Sequence, residues 1–356
     1  MTSAPAPSRT SVPVFLVGFA VIVVLTLLVL EADRAIAGFF RAQGIAQNLF
    51  EYPLTAAIIG LLANALLKVT GVYRHIRPAV RTDFYLKVGV ILLGTRISVG
   101  DLLATGAGGL IQAVIMVTSV FSFTWWLGGK LKLPDTLRAV MASAVSICGV
   151  SAAVAAAGSV QAKKEEITYV TALVIVTALP LMVLMPLIAG AFNLPADVAG
   201  AWFGGNIDTT AAVVGAGTLY GEEAQQVATV VKSSQNVLMG FVAFALAFYF
   251  VSVVRKGEGE RPSAKLIWER FPKFVLGFML MSVIASLGLI APPLKATIGT
   301  VYQFTFALAF VCIGLEFDPS ALRQAGLKPV LVYLAATVFN TVLALLVALV
   351  IFGVLF

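Results

Sequence analysis

The chain has 356 residues, of which 60% are hydrophobic and only 12% are charged, and its mean hydropathy is +1.00. A soluble domain carries about twice that share of charged residues, so the composition excludes one and predicts a polytopic integral membrane protein. The net charge of +7 comes largely from Lys and Arg in short loops beside apolar runs. There they set membrane topology, so we expect no nucleic-acid partner.

Apolar runs long enough to cross a lipid bilayer recur along the chain and predict an all-α protein. The first run is longer than a signal-peptide core, so we expect a transmembrane helix there rather than a cleaved leader. About nine runs reach the roughly 20 residues of a full transmembrane helix, at 12–30, 52–70, 82–99, 104–128, 165–190, 223–254, 272–291, 297–316 and 325–355. Two further stretches, 135–162 and 195–220, are interrupted by small and polar residues, which gives about 11 membrane segments.

The distribution of Lys and Arg predicts the orientation of these segments. The loops that follow 52–70 and 223–254 are strongly basic, so we expect them in the cytoplasm. The 191–197 connection has no Lys or Arg, so we expect it outside. The N-terminus is then cytoplasmic and the C-terminus lies on the periplasmic side.

Lys163 and Lys164 bear on the course of the two interrupted segments. If 135–162 crossed the membrane, this pair would lie outside, against the positive-inside rule. If 135–162 were a re-entrant hairpin of two half-helices, the pair would stay inside, and 195–220 would be a hairpin that enters from the outside. The alternative is two crossing but unwound helices. The dibasic pair favours the hairpins, and both courses give the same end topology.

Two pairs of segments resemble each other within the chain. Residues 151–158 match 210–217, each followed by an acidic pair that opens a long helix, and 92–97 match 312–317. In the predicted topology the matching pieces run in opposite directions, as an inverted-repeat transporter fold requires. We therefore predict a single transmembrane domain with an N-terminal helix and outer loop at 1–51, a first half at 52–190 and a second half at 195–356.

The first interrupted segment supplies candidate substrate-binding residues. Half-helix N-termini carry partial positive charge and free backbone N–H groups, so a break here suits an anion or a polar oxygen. Tight helix packing through small residues is the alternative explanation. The candidates are Ser146, Cys148, Gly149 and Ser151.

The second interrupted segment combines glycines with carboxylate, amide and hydroxyl groups. Asp208 is ionisable at membrane depth, so we interpret it as the residue that couples transport to H⁺ or Na⁺. Asn206, Thr209 and Thr210 are further substrate-binding candidates. Helix capping is the alternative explanation, since all these residue types serve as N-caps.

Lys232 lies about nine residues, roughly 14 Å, inside the helix predicted from residue 223. This depth is too great for easy snorkelling, so we expect the amine to face the protein interior. It would pair with Asp208 or neutralise an anionic substrate, and a purely structural ion pair is the alternative. Gln235 and Asn236 follow at helical spacing and are also substrate-binding candidates.

No metal site, cofactor or catalytic constellation is expected. The two cysteines and the single histidine, His75, lack metal-ligand spacing. The sequence has no Ser-His-Asp pattern and no phosphate loop, so we expect neither an enzyme nor ATP-driven transport.

The chain contains four short motifs, Ser-Ile-Cys-Gly-x-Ser-Ala at 146–152, Ile-Asp-Thr-Thr-x-x-Val-Val-x-Ala-Gly at 207–217, Gly-Glu-Glu-Ala at 221–224 and Ala-Thr-x-Val-Lys at 228–232. Taken together, they resemble the YeiH-type family of sulfate exporters, and the similarity runs over most of the chain from about residue 52. The resemblance implies an inner-membrane protein of the superfamily of sodium/proton antiporters and bile-acid symporters, with an inverted-repeat fold and cation-coupled or exchange transport. A homodimer is expected by the same analogy. Gln235 departs from the basic residue of many members.

The leading hypothesis is therefore a secondary transporter in the lipid bilayer that exports or exchanges a small anion, such as sulfate, sulfite or a sulfonate. Lys232 would supply positive charge, the two breaks would bind the oxygens, and Asp208 would couple H⁺ or Na⁺. A Na⁺/H⁺ antiporter is the alternative within transport. A non-transporting scaffold or sensor would need a soluble signalling domain, and no loop is large enough for one.

Overall fold

The computed structural model describes residues 12–42, 52–254, 265–317 and 326–355, and every regular element within these ranges is helical. Short 3₁₀ or π-helical turns interrupt or extend several of the α-helices. The helices are α1 Val12–Ala42, α2 Tyr52–Val69, α3 Tyr73–Ile76, α4 Thr82–Leu93, α5 Val99–Lys130, α6 Asp135–Ser143, α7 Val150–Val160, α8 Lys164–Ala191, α9 Ala196–Asn206, α10 Thr210–Tyr220, α11 Glu222–Val237, α12 Met239–Tyr249, α13 Lys265–Arg270, α14 Lys273–Ser286, α15 Pro292–Glu316 and α16 Leu327–Val350.

Among the described residues, 7 helical stretches are long and apolar enough to cross a membrane by length and composition. The chain is therefore a multi-pass membrane protein. These stretches are Pro13–Phe39, Tyr52–Val69, Val99–Lys130, Lys164–Ala191, Glu222–Val254, Pro292–Glu316 and Leu327–Leu355.

The runs at 82–99 and 272–291 do not reach the predicted span length. The first forms α4, which ends in a 3₁₀ turn at Gly94–Arg96, and the second forms α14, which begins after Pro272. Gly94 lies so close to the carbonyl oxygen of Phe278 that a Cβ atom there would overlap it. The two short helices therefore pack with almost no side chain between them at this point, as small residues allow in membrane proteins.

The described chain forms two compact units, and the smaller one comprises Met1–Lys87 and Gln303–Phe317. In this unit α2 packs directly on the end of α15. A Cβ on Gly314 would lie 2.5 Å from the carbonyl oxygen of Ala57, so the two backbones touch. Asn64 Nδ2 donates a 2.6 Å hydrogen bond to the carbonyl oxygen of Phe317, where α15 has just ended.

The larger unit, Val88–Tyr302 and Asp318–Phe356, contains both interrupted segments, and the first of them is a hairpin. α6 and α7 are joined by the π-helical turn Ala144–Cys148 and by Gly149, whose φ of +62° favours glycine. Thr136, at the start of α6, donates a 3.0 Å hydrogen bond to Glu166, at the start of α8. Both ends of the segment therefore lie together, and residues 144–149 form its tip, which we call the first tip.

The second interrupted segment is a hairpin too. Residues 207–209 separate α9 from α10 and form what we call the second tip. At the other end, the hydroxyl of Tyr220, which ends α10, donates a 2.5 Å hydrogen bond to the carbonyl oxygen of Leu194, which precedes α9. The prediction that both segments are interrupted is confirmed, and the chain reverses direction in each.

Helix α8 relates the two hairpins to each other. It starts beside the open end of the first hairpin and finishes beside the open end of the second, and its 28 residues span about 42 Å. The hairpins therefore approach each other from opposite ends of α8. Their tips meet, since a Cβ on Gly149 would lie 3.3 Å from the side chain of Thr209.

Candidate functional site

Close packing of α9 against α11 brings polar side chains of α11 to the two tips. A Cβ on Gly204 would lie 2.7 Å from the carbonyl oxygen of Ala228 and 2.9 Å from Val231 Cβ. Any larger residue would push the helices apart. The glycine thus holds α11 near enough for Lys232 and the residues one turn further along to reach the tip backbones.

Lys232 is 1% exposed and bonds to the first tip rather than to a carboxylate. Its Nζ donates to the carbonyl oxygen of Ile147 and, at 2.7 Å, to Gln235 Oε1. The Ile147 carbonyl lies at the C-terminal end of the first half-helix, where the helix dipole is negative. The buried ammonium therefore compensates this partial charge and satisfies a carbonyl that the helix break leaves without an intrahelical donor.

Gln235 joins the two tips through its amide. Nε2 donates to the carbonyl oxygen of Ser146 at 2.8 Å and to that of Gly205 at 3.4 Å. Its Oε1 accepts a hydrogen bond from Lys232. The Lys232 amine, the Gln235 amide and the tip carbonyls therefore form one buried hydrogen-bond network.

Asn340, on α16, makes a parallel connection between the tips. Its Nδ2 donates to the carbonyl oxygens of Val145, at 3.2 Å, and Asn206, at 2.9 Å. The neighbouring Thr341 donates to Asn206 Oδ1 at 3.1 Å. Because two carbonyl acceptors orient the Asn340 amide, its Oδ1 faces away from them, and this atom is buried without a hydrogen-bond partner among the described residues.

The tips differ in how their donors and acceptors are satisfied. Side-chain N–H groups reach three consecutive carbonyls of the first tip, at 145–147, and two at the end of α9. The first-turn N–H groups of α7 and α10 have no intrahelical acceptor. Thr209 Oγ1 accepts one of them, from Ala212 at 3.2 Å. The two positive half-helix ends thus meet at Gly149 and Thr209.

Asp208 is buried in the second tip and does not pair with Lys232. Its Oδ2 accepts a 2.5 Å hydrogen bond from the hydroxyl of Tyr333, and both side chains are at most 1% exposed. The other carboxylate oxygen, Oδ1, is buried with no partner in the described residues. The direct Asp208–Lys232 pair that the sequence suggested is absent from this conformation, because each group has its own neutral partners.

Most of the residues predicted from the sequence do lie together around the tips. Asn236 Nδ2 donates to Thr210 Oγ1 at 3.2 Å, and Asn206 Nδ2 contacts the sulfur of Met185 at 2.9 Å. Ser151 is half-buried in the first turn of α7. These side chains therefore lie at or beside the tips, and their role in substrate binding stays a prediction.

Two of the predicted side chains point elsewhere. The hydroxyl of Ser146 donates to the carbonyl oxygen of Ala142, at 2.6 Å, so this residue meets the site through its backbone. Cys148 turns its thiol to the sulfur of Met239, 3.8 Å away, in an apolar cluster. The sequence of the first interrupted segment could not show whether a residue meets the site through its backbone or through its side chain.

A polar stripe on α16 was missed by the sequence reasoning. Tyr333, Thr337, Asn340 and Thr341 recur at helical spacing, and they present one polar face inside a run that is otherwise apolar. That spacing was a signal in the sequence. Gln112 of α5 was also missed. Its Nε2 donates a 2.8 Å hydrogen bond to the carbonyl oxygen of Ala201, next to the α9 glycines.

The fold and the site define a multi-pass membrane protein built around two opposed hairpins whose tips meet in a buried polar centre. A family described as conserved hypothetical protein 698 matches residues 26–333, and this chain belongs to it. The resemblance to the YeiH-type family is thereby confirmed.

The relatives carry the name UPF0324 membrane protein. One of Rhodopirellula baltica is 38% identical over 358 residues, covering 96% of this chain and 64% of the relative. One of Nitratidesulfovibrio vulgaris is 37% identical over 361 residues, covering 97% of this chain and 61% of the relative. The chain thus spans less than two thirds of the length of these two relatives. The UPF0324 membrane protein TauZ of Paracoccus denitrificans is 29% identical over 350 residues, covering 96% of this chain and 97% of the relative. No solved structure matches the chain.

Proposed function

We propose that this chain is a secondary active transporter that exports or exchanges a small anion of the sulfate, sulfite or sulfonate class. The observation that carries the proposal is the meeting of the N-termini of α7 and α10 at Gly149 and Thr209. Helix N-termini attract anions through free N–H groups and partial positive charge. Side chains of α11 and α16 already occupy the tip carbonyls. The donors left to an anion are the free first-turn N–H groups of α7 and α10, whereas Asp208 Oδ1 and Asn340 Oδ1 are open acceptors among the described residues.

The charged residues take different roles in this proposal. Lys232 adds positive charge next to the first tip, and an ammonium group has three donors, of which two are used. Asp208, whose Oδ1 has no partner in the described residues, takes up H⁺ or Na⁺ and couples its gradient to transport. Asn206, Thr209, Thr210 and Asn236 supply further polar contacts to the substrate.

Alternating access follows from the opposed hairpins. In this proposal the fold is an inverted repeat of about 11 membrane segments, and its re-entrant hairpins are 135–162 and 195–220. Each hairpin closes the access path to the site from one face of the membrane. The halves 52–190 and 195–356 form a single domain in the bacterial inner membrane, with the N-terminus cytoplasmic. Neither an enzymatic step nor a resident cofactor is involved, and the protein forms a homodimer.

Transport in proteoliposomes tests the proposal. The purified chain is reconstituted into vesicles loaded with sulfate, sulfite or methanesulfonate, and exchange against the labelled anion is measured. We expect saturable exchange of at least one of these anions, and loss of accumulation driven by a H⁺ or Na⁺ gradient in Asp208→Asn, which keeps the size of the side chain. Absence of anion flux from vesicles that contain folded protein would refute the proposal.

A Na⁺/H⁺ antiporter is the second candidate. The buried Asp208–Tyr333 pair, with a carboxylate oxygen left open, is the observation that favours it. It predicts Na⁺-dependent proton flux in the absence of any transported anion, lost in Asp208→Asn. Flux that strictly requires an anion would exclude this candidate.

A further inference from the structure

A groove lies between α5 and α12, which belong to candidate membrane spans. Its volume is about 460 Å³, and its walls are apolar apart from the hydroxyl groups of Thr118, Ser122 and Tyr249 and the indole N–H of Trp125. The rings of Trp125 and Tyr249 meet at one end, with centroids 5.9 Å apart and an interplanar angle of 88°. The groove is open, since Thr118, Ser122, Ala245 and Tyr249 are exposed. Its size and polarity suit the hydrocarbon part of a small ligand.

One residue of the groove wall packs directly against the first tip. Val117, in the groove wall, belongs to one buried apolar cluster with Ile147 and Cys148, and Val242 packs against this cluster from α12. The carbonyl group of Ile147 bonds to Lys232. Ile147 therefore packs against a residue of the groove wall with its side chain and meets the polar centre with its carbonyl group.

We propose that the ligand of this site is an organic anion with a short hydrocarbon part, which reaches the hairpin tips through the α5–α12 groove. The hydrocarbon lies in the groove, and the acidic head is held at the N-termini of α7 and α10. The inference rests on the proposed anion transport and narrows its substrate class to alkyl sulfonates and related organic anions. The contact between Cys148 and Met239, at 3.8 Å, is part of the apolar layer that must separate as the head passes.

The wall chemistry is the reason for preferring this class over inorganic sulfate. A doubly charged ion gains nothing from an apolar wall and loses its hydration there. A methylene group gains free energy when it leaves water for such a wall. The groove thus favours binding of a hydrocarbon tail, whereas the facing half-helix N-termini favour binding of an anionic head.

Binding across a chain-length series tests the inference. The full chain in lipid nanodiscs is titrated with methane-, butane- and hexanesulfonate, with sulfate, and with hexylammonium as the probe of opposite charge. We expect the Kd to fall about two- to fourfold with each added methylene, hexylammonium not to bind, and sulfate to bind more weakly than hexanesulfonate.

Variants that fill the groove locate the tail. Ala245→Trp and Ser122→Trp, one from each wall, should abolish the dependence on chain length. Because the groove is also the route to the tips, both should slow the association of methanesulfonate as well. An unchanged apparent Tm without ligand reports that the variants are folded. Phe248→Trp, on the exposed side of α12 and outside the groove lining, should keep that dependence.

The remaining outcomes overturn the inference in distinguishable ways. Equal affinity along the series, sulfate binding as tight as hexanesulfonate, or chain-length dependence that persists in both Trp variants would refute the groove and leave anion transport standing. Equal binding of hexylammonium would identify a nonspecific lipid-like site and refute the inference. If no anion binds at all, the proposed function fails together with it.

Discussion

Tyr333 donates a 2.5 Å hydrogen bond to Asp208, from a helix 125 residues further along the chain. The pair is buried at the second tip, where the carboxylate has no other hydrogen-bond partner in the described residues. A buried carboxyl group without a donor is costly. Tyr333 therefore holds Asp208 in the site and fixes which of its oxygens remains open.

Replacing Tyr333 with Phe removes this donor and little else. We expect the free energy of unfolding to fall by about 1–3 kcal/mol, because Asp208 is then left unsatisfied. The measurement is the apparent Tm of the detergent-purified protein. Tyr169→Phe is the matched control, since the Tyr169 hydroxyl is buried without a partner in the described residues and its loss should change the Tm little. An equal decrease of the Tm in both variants would contradict the stabilising role of the Tyr333–Asp208 hydrogen bond.

Substitutions of Lys232 separate its charge from its hydrogen bonds. In Lys232→Gln an amide can still donate to the Ile147 carbonyl, whereas in Lys232→Met no donor remains. We expect both variants to lose at least about tenfold in anion affinity, equal to about 1.4 kcal/mol, and Lys232→Met to lose more stability than Lys232→Gln. Ligand-induced stabilisation measures the first effect and the Tm without ligand the second. Unchanged anion affinity in Lys232→Gln would show that the charge has only a structural role.

Gly149 is the position where a side chain is least tolerated at the first tip. Its φ is +62°, and a Cβ would lie 2.6 Å from Val174 Cγ1, in addition to its contact with Thr209. We expect Gly149→Ala to cost about 1–3 kcal/mol of stability and to separate the tips, with faster amide exchange at 144–149. Gly190→Ala is the control, because nothing lies within 4 Å of a Cβ there, and it should be neutral.

Cysteine labelling from the two sides of the membrane tests the hairpins. In a variant with Cys148 and Cys312 replaced by Ala, Lys132→Cys and Lys163→Cys should react from the same side, because the ends of the first hairpin lie together. Asn193→Cys, at the far end of α8, should react from the opposite side. Positive-inside bias predicts that Lys132 and Lys163 are the cytoplasmic pair. Labelling of Lys132→Cys and Lys163→Cys from opposite sides would show a crossing segment instead.

Composition and hydropathy are enough to predict an all-helical membrane protein with two interrupted segments. Hydropathy and the local clusters of glycine and polar residues are properties of short windows, and a helix break follows from them directly. The positions of the breaks, near 144–149 and 207–209, were predicted for this reason. The lengths of the helices at 82–99 and 272–291 were not predicted correctly, because Gly94 and the flanking turns end those helices early.

Only the tertiary structure decided how the polar groups are paired. Lys232 bonds to a carbonyl 85 residues away, and Asn340 to one 195 residues away. No local pattern encodes such partners. For this reason the sequence left open whether Lys232 pairs with Asp208 or faces a substrate, and Tyr333 was overlooked. Hairpin breaks leave backbone carbonyls and N–H groups that must be satisfied. The side chains that satisfy them, and the N–H groups that remain free for a ligand, depend on which helices pack beside the tips.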